Sequence, residues 1–150
     1  MAHKENVLIS GCLLGLRCRY DGESRPMKRE IIEALLEKVN LIPVCPEQLG
    51  GLATPRVPAE RCGDMVMTKE GKDVTAEYKR GAEEVLKIAK LFGCRYALLK
   101  EKSPACSSTE IYNGEFSREL IKGMGVAAEL LSENGIKVFG ETKTDEIIKG

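Results

Sequence analysis

The chain reads as an α/β protein: a single three-layer, Rossmann-like domain over residues 1–150, built on a small, mainly parallel sheet with hairpin excursions. Two observations predict this. Short apolar runs (NVLIS, LIPV, RYALLK, IKVFG) alternate with stretches whose apolar residues recur every three or four positions, the pattern of strands separated by helices. The runs also lack the strict polar alternation of a half-exposed strand, as expected where helices cover both faces of a sheet.

The first strand is read at 6–10 and the second at 41–44. Between them Ile31, Leu35 and Val39 recur every four residues with Ile32 and Leu36 beside them, giving an amphipathic helix over about 27–39. Pro26 stands near its start, where proline is tolerated. Strand, loop, helix and strand form one right-handed βαβ unit. Residues 46–64 are rich in Gly and Pro and are expected to wrap the sheet as an ordered loop. MVMTKEGKDV alternates about Glu70-Gly71-Lys72 and predicts a small hairpin. Tyr78, Ala82, Val85, Ala89 and Phe92 then mark a helix over about 75–92, stopped at Gly93. The third strand is RYALLK, 95–100. Asn113-Gly114 predicts a second hairpin, since this dipeptide is the favoured two-residue turn. A helix over about 124–134 ends at Asn134-Gly135, and IKVFG, 136–140, is the fourth strand. The expected strand order is 2-1-3-4.

Composition excludes several functions. Lys plus Arg equals Asp plus Glu at 23 each, so no global field draws nucleic acid or an anionic membrane. The start MAHKENVLIS lacks the features of a signal peptide, and no run reaches the ~18–20 apolar residues of a membrane span. The cytosol is the expected location, and there six cysteines point to metal binding or catalysis more than to a disulfide framework. There is no CxxC pair and one histidine, His3, which disfavours a four-ligand zinc site and a Cys–His nucleophile pair. GxGxxG, Walker A and GxSxG motifs are missing as well.

Three cysteines fall just beyond strand ends: Cys12, Cys45 and Cys106. In an open parallel sheet the carboxyl ends of the strands collect ligands. Three thiolates converging there, soft donors suited to zinc, copper(I) or an iron–sulfur cluster, suggest a metal centre with one position left open. Taken singly, each has a plainer reading; Cys12, for one, reads as a small buried hydrophobe. Glu47 stands two residues past Cys45 and is a candidate general acid or base, or simply a capping or salt-bridging glutamate. Ser103 lies three residues before Cys106 and offers a hydroxyl to cluster sulfurs or substrate, or is part of a Ser-Pro turn. Cys94 is placed at the opposite end of the sheet, Cys62 lies in the wrapping loop, and Cys18 lies further out in a basic, polar stretch. A basic patch of Arg17, Arg19 and Arg56 is a candidate phosphate contact.

The segments SGCLLGLRCRYDG, PVCPEQLGGLATPR, LLKEKSPACSS, IYNGEFSREL, GVAAELL and GIKVFGE resemble the DUF523 family, which contains the thiouracil desulfidases. The resemblance runs from about Val7 to Glu141. It implies a [4Fe-4S] cluster held by Cys12, Cys45 and Cys106 with one iron lacking a protein ligand, and catalytic roles for Glu47 and Ser103. The activity implied is non-redox C–S cleavage of a small thiobase such as 2-thiouracil, giving uracil and hydrosulfide. Tyr20, by stacking, and Asp21, by hydrogen bonding to a ring N–H, are candidate substrate contacts. Two other functions remain open from the residues: a non-catalytic sulfur or cluster carrier, and a redox-sensing thiol protein using a disulfide such as Cys12–Cys45, provided their Cα atoms lie within about 7 Å.

Overall fold

The computed structural model describes residues 4–148. Its elements in chain order are β1 (Glu5–Ser10), α1 (Arg29–Lys38), β2 (Val39–Val44), α2 (Pro46–Leu49), β3 (Ala59–Cys62), β4 (Met65–Thr68), α3 (Thr75–Leu91), β5 (Tyr96–Leu99), β6 (Glu110–Tyr112), β7 (Leu120–Lys122), α4 (Val126–Glu133), β8 (Lys137–Gly140) and α5 (Thr144–Ile148), with short 3-10 turns after β1 and β8. Strands β2-β1-β5-β8 form one sheet in which every pairing is parallel. That is the expected 2-1-3-4 order for the four strands read from sequence.

The strand side chains alternate between two cores. Leu8, Ala97 and Leu99 face the layer of α3 and α4 with Tyr78, Val85, Ala89, Ala128 and Leu131. Val7, Ile9 and Leu98 face the layer of α1 and α5 with Leu35 and Ile147. Leu8, Ile9, Leu35, Leu98, Leu99 and Leu131 are wholly buried; at ~1.5–3 kcal/mol per buried side chain, this two-sided burial fixes the register of the central strands.

Three expectations need correction. The Gly/Pro-rich stretch 46–64 is not all loop: it holds α2 and strand β3, and β3 pairs antiparallel with β4. The first hairpin therefore turns at Gly63-Asp64, with Gly63 at φ 60, while the Glu70-Gly71-Lys72 turn adds the single bridge Met67–Asp73. The second hairpin, β6–β7, is present, but Asn113-Gly114 does not form a two-residue turn. Its loop runs from 113 to 119, closed by the Asn113 amide on the Glu119 carbonyl at 3.0 Å. The Asn113 side chain is spent inside that loop, accepting from the Glu115 amide. Helix α5 has no counterpart in the sequence reading; its five residues are too few to show a period. Among the described residues no helix is long and apolar enough to cross a membrane.

Candidate active site

Each cysteine loop is held by a different device. Directly after β1 the chain tightens into a 3-10 turn, Gly11–Leu14, which ends at Gly15 with φ 99, a left-handed conformation that suits glycine. This sets Cys12 two residues beyond the strand. After β2, Cys45 stays extended and Pro46 opens α2. Helix α2 meets α3 backbone to backbone: a methyl group at Gly50 would collide with the Glu77 carbonyl, and one at Gly81 with the Pro46 carbonyl. After β5, the Ser103 Oγ accepts the amides of Ala105 and Cys106, both at 3.1 Å. The carbonyls of Pro104 and Ala105 accept the amides of Val126, Ala127 and Ala128, which open α4 and have no partner inside the helix. The Cys106 loop is thereby clamped between the sheet end and α4.

The three loops converge on one cavity of about 450 Å³, within the ~300–1,000 Å³ typical of small-molecule sites. Cys12, Cys45 and Cys106 line it together with Glu47 and Ser103, as the strand-end rule anticipates. All six cysteines are free thiols.

Glu47 is the electrostatic centre of this cavity and is 8% exposed. Its Oε1 accepts the Cys45 thiol at 3.8 Å, and its Oε2 accepts the Tyr78 hydroxyl at 3.4 Å. Arg56 Nη2 stands 3.9 Å from the same oxygen and donates to the Cys18 carbonyl at 3.0 Å. Burial, and then the Glu47 charge, push the Tyr78 hydroxyl well above its ordinary value, so it stays protonated and donates. The Cys45 thiol is pushed up by its hydrogen bond with Cys18, by burial and by Glu47. Burial and Glu47 do the same to Cys106.

The donor set fits an iron–sulfur cluster. Among the described residues no three His, Cys, Asp or Glu side chains gather closely enough to hold a single metal ion. Cys12, Cys45 and Cys106 line one cavity, and thiolate is the donor that iron–sulfur clusters take. A metal centre would reverse the raised thiol values, because coordination deprotonates the thiol outright.

The other candidate residues are placed as follows. Tyr20 lines the cavity, with the Arg19 guanidinium 5.4 Å from its ring centroid. Asp21 is not among the lining residues; its carboxylate accepts the Glu23 amide at 3.0 Å and pairs with Arg19 at 3.4 Å. Of the basic patch, Arg19 and Arg56 reach the cavity, whereas Arg17 lines a separate surface depression. Cys94 precedes β5 at the opposite end of the sheet, and Cys62 is exposed on β3. Cys18, read from sequence as lying further out, is buried and lines the cavity. The Cys45 thiol donates to the Cys18 carbonyl at 3.6 Å, and the neighbouring Cys12 leads in raising the Cys18 thiol above its ordinary value. Sequence reasoning took Tyr78 only as a core position of a helix. Its place one turn into a helix that starts near the carboxyl end of the sheet was the available signal. His3 lies outside the described residues.

The model of the 2-thiouracil desulfurase family matches residues 7–143, a span that contains all three cysteine loops. The chain belongs to the 2-thiouracil desulfurase family. Among solved structures it is similar to the [4Fe-4S]-dependent thiouracil desulfidase TudS (DUF523Vcz), with 46% identity, a TM-score of 0.92, and coverage of 96% of this chain and 95% of that one. It is also 39% identical over 152 residues to the uncharacterized protein YbbK of Bacillus subtilis (strain 168), covering 95% of this chain and 99% of that protein. The DUF523 resemblance and the parallel α/β architecture thus agree with an experimentally determined member.

Proposed function

We propose that this 2-thiouracil desulfurase family member is an iron–sulfur-dependent desulfidase. It removes sulfur from a thiolated pyrimidine such as 2-thiouracil, releasing uracil and hydrosulfide with no net redox change. The observation that carries this reading is the meeting of three thiols from adjacent parallel strand ends with a buried carboxylate in one cavity. Cys12, Cys45 and Cys106 would hold a [4Fe-4S] cluster. When bound, that group supplies an iron without a protein ligand, a Lewis acid for a soft thiocarbonyl sulfur.

The chain's own groups handle the protons. Glu47, oriented by the Tyr78 hydroxyl and Arg56, takes a proton from water as the water oxygen adds to the thiocarbonyl carbon. Ser103 Oγ already accepts two amides, which leaves its own proton to donate to the ring and help position it. The C–S bond then breaks: sulfur departs with its electron pair and takes up the proton held by Glu47, leaving as hydrosulfide, while the added hydroxyl gives its proton to solvent as the uracil carbonyl forms. Tyr20 offers a ring face to the base. Asp21, occupied by the Glu23 amide and Arg19, is left to shape the turn. A small molecule is the substrate and the cytosol the place of action on this reading.

A second reading, the redox-sensing thiol protein, is favoured by one observation: Cys12, Cys18 and Cys45 are free thiols lining the same cavity. Anaerobic reconstitution followed by assay of uracil and sulfide separates the two. The desulfidase releases both from 2-thiouracil. A redox protein releases neither and forms a reversible disulfide.

A further inference from the structure

Among the described residues, three that are not glycine adopt a left-handed backbone: Lys102 (φ 68), Phe116 (φ 54) and Arg118 (φ 65). All three line the active-site cavity. Such conformations are costly for a residue with a side chain and persist only where the surroundings over-determine them. For Phe116 the determinant is visible. Glu60, on β3, turns its Oε1 toward the loop and accepts the amides of Gly114 at 3.0 Å and Phe116 at 3.1 Å. Gly114 is pressed so closely on the Cys62 side chain that a methyl group there would collide with it. One carboxylate therefore ties the first hairpin to the loop of the second, with two charge-assisted bonds. The ring this holds at the cavity is half-buried and polarity-free.

We propose that Phe116 is a specificity-determining residue that stacks on the planar base of the substrate, and that Glu60 is the positioning residue that holds it there. The inference rests on the thiobase reading above. An aromatic face is suited to a flat heterocycle, and base–aromatic stacking is worth ~1–3 kcal/mol by side-chain truncation. That corresponds to roughly 5-fold or more in affinity. A ring that only filled the core would not need a strained backbone aimed at the cavity.

The test measures KM and kcat for 2-thiouracil with the cluster-loaded protein, beside binding of the product uracil. Phe116→Leu keeps apolar bulk but removes the ring face; it is expected to raise KM at least about fivefold with kcat and the cluster's visible absorption near wild type. Glu60→Ala is expected to raise KM in the same way, without adding to Phe116→Leu in the double variant, while Glu60→Gln, which keeps an acceptor oxygen, restores most of the loss. The chain has no tryptophan, so Phe116→Trp provides a single fluorophore whose emission uracil should quench saturably. An unchanged KM in Phe116→Leu, an additive double variant, or no quenching would overturn the proposal. If wild type turns over no thiobase yet uracil still quenches Phe116→Trp, the desulfidase reading fails and the stacking site stands. If wild type is active and Phe116→Leu is indifferent, the reverse holds.

Discussion

On the proposed mechanism Glu47 acts through what it touches: the Cys45 thiol, the Tyr78 hydroxyl and the Arg56 guanidinium. Glu47→Gln nearly preserves the shape and removes the base, so turnover should fall by about 10²-fold or more while iron and sulfide content stay at wild-type levels; single-turnover assays with metal analysis check both halves. The cysteines divide by place. Cys12→Ala, Cys45→Ala and Cys106→Ala should each lose most of the iron, whereas Cys94→Ala, at the far end of the sheet, should retain it. Cys18→Ala tests the neighbour of Cys12 and Cys45: as a buried thiol outside the proposed ligand set it should keep the iron, read by metal analysis after anaerobic reconstitution. At this scale the sequence was informative where position along a strand decides. Cys12, Cys45 and Cys106 follow from the rule that strand carboxyl ends converge. Cys18 and Phe116 could not be placed that way, because each reaches the cavity through a loop that doubles back, and loop paths have no period to read.

Helices and strands position these groups by contacts between backbones. The α2–α3 crossing at Gly50 and Gly81 has no room for a side chain, and it sets the angle at which Cys45, Pro46 and Glu47 enter the cavity. Gly81→Ala should therefore destabilise the fold by ~1–3 kcal/mol or more through overpacking, seen as a lower midpoint in thermal unfolding. A second linkage joins the loop after β5 to the rest. Burial raises the Glu101 carboxyl, but hydrogen bonds from Ser108 and Thr109 outweigh it and leave it below its ordinary value of 4.5. A carboxyl lowered on folding stabilises the protein fully above its unfolded value and loses that contribution as pH falls through the folded one. Glu101→Gln should accordingly flatten the loss of thermal stability below about pH 4.5, with melting curves from pH 3 to 6 as the check. Elements with a clear period were legible: four parallel strands and the three longer helices. Strand β3 was hidden because its sequence, AERC, carries polar residues that serve the hairpin–α4 contact through Arg61, which bonds the Met124 carbonyl and pairs with Glu129. The Asn113-Gly114 turn was misplaced because the Asn side chain and Glu60 stabilise a wider loop.

The whole molecule is a sheet with cores on both faces, topped at its carboxyl end by a cavity fed by the three loops that carry Cys12, Cys45 and Cys106. The fold class and the parallel character of the sheet were legible in the hydrophobic pattern; the strand order, which that pattern does not dictate, was an expectation with which the structure agrees. The substrate did not, because a neutral chain with a thiol-lined cavity is compatible with a sulfur carrier or a redox protein as well as an enzyme. The family match and the TudS structure favour the enzyme. The most direct measurement is the release of uracil and sulfide from 2-thiouracil by anaerobically reconstituted wild type beside Cys45→Ala. The account predicts equal amounts of both products from wild type, in catalytic excess over protein, and none above background from Cys45→Ala. Full activity in Cys45→Ala, or a cluster-loaded wild type that releases neither product, would contradict it.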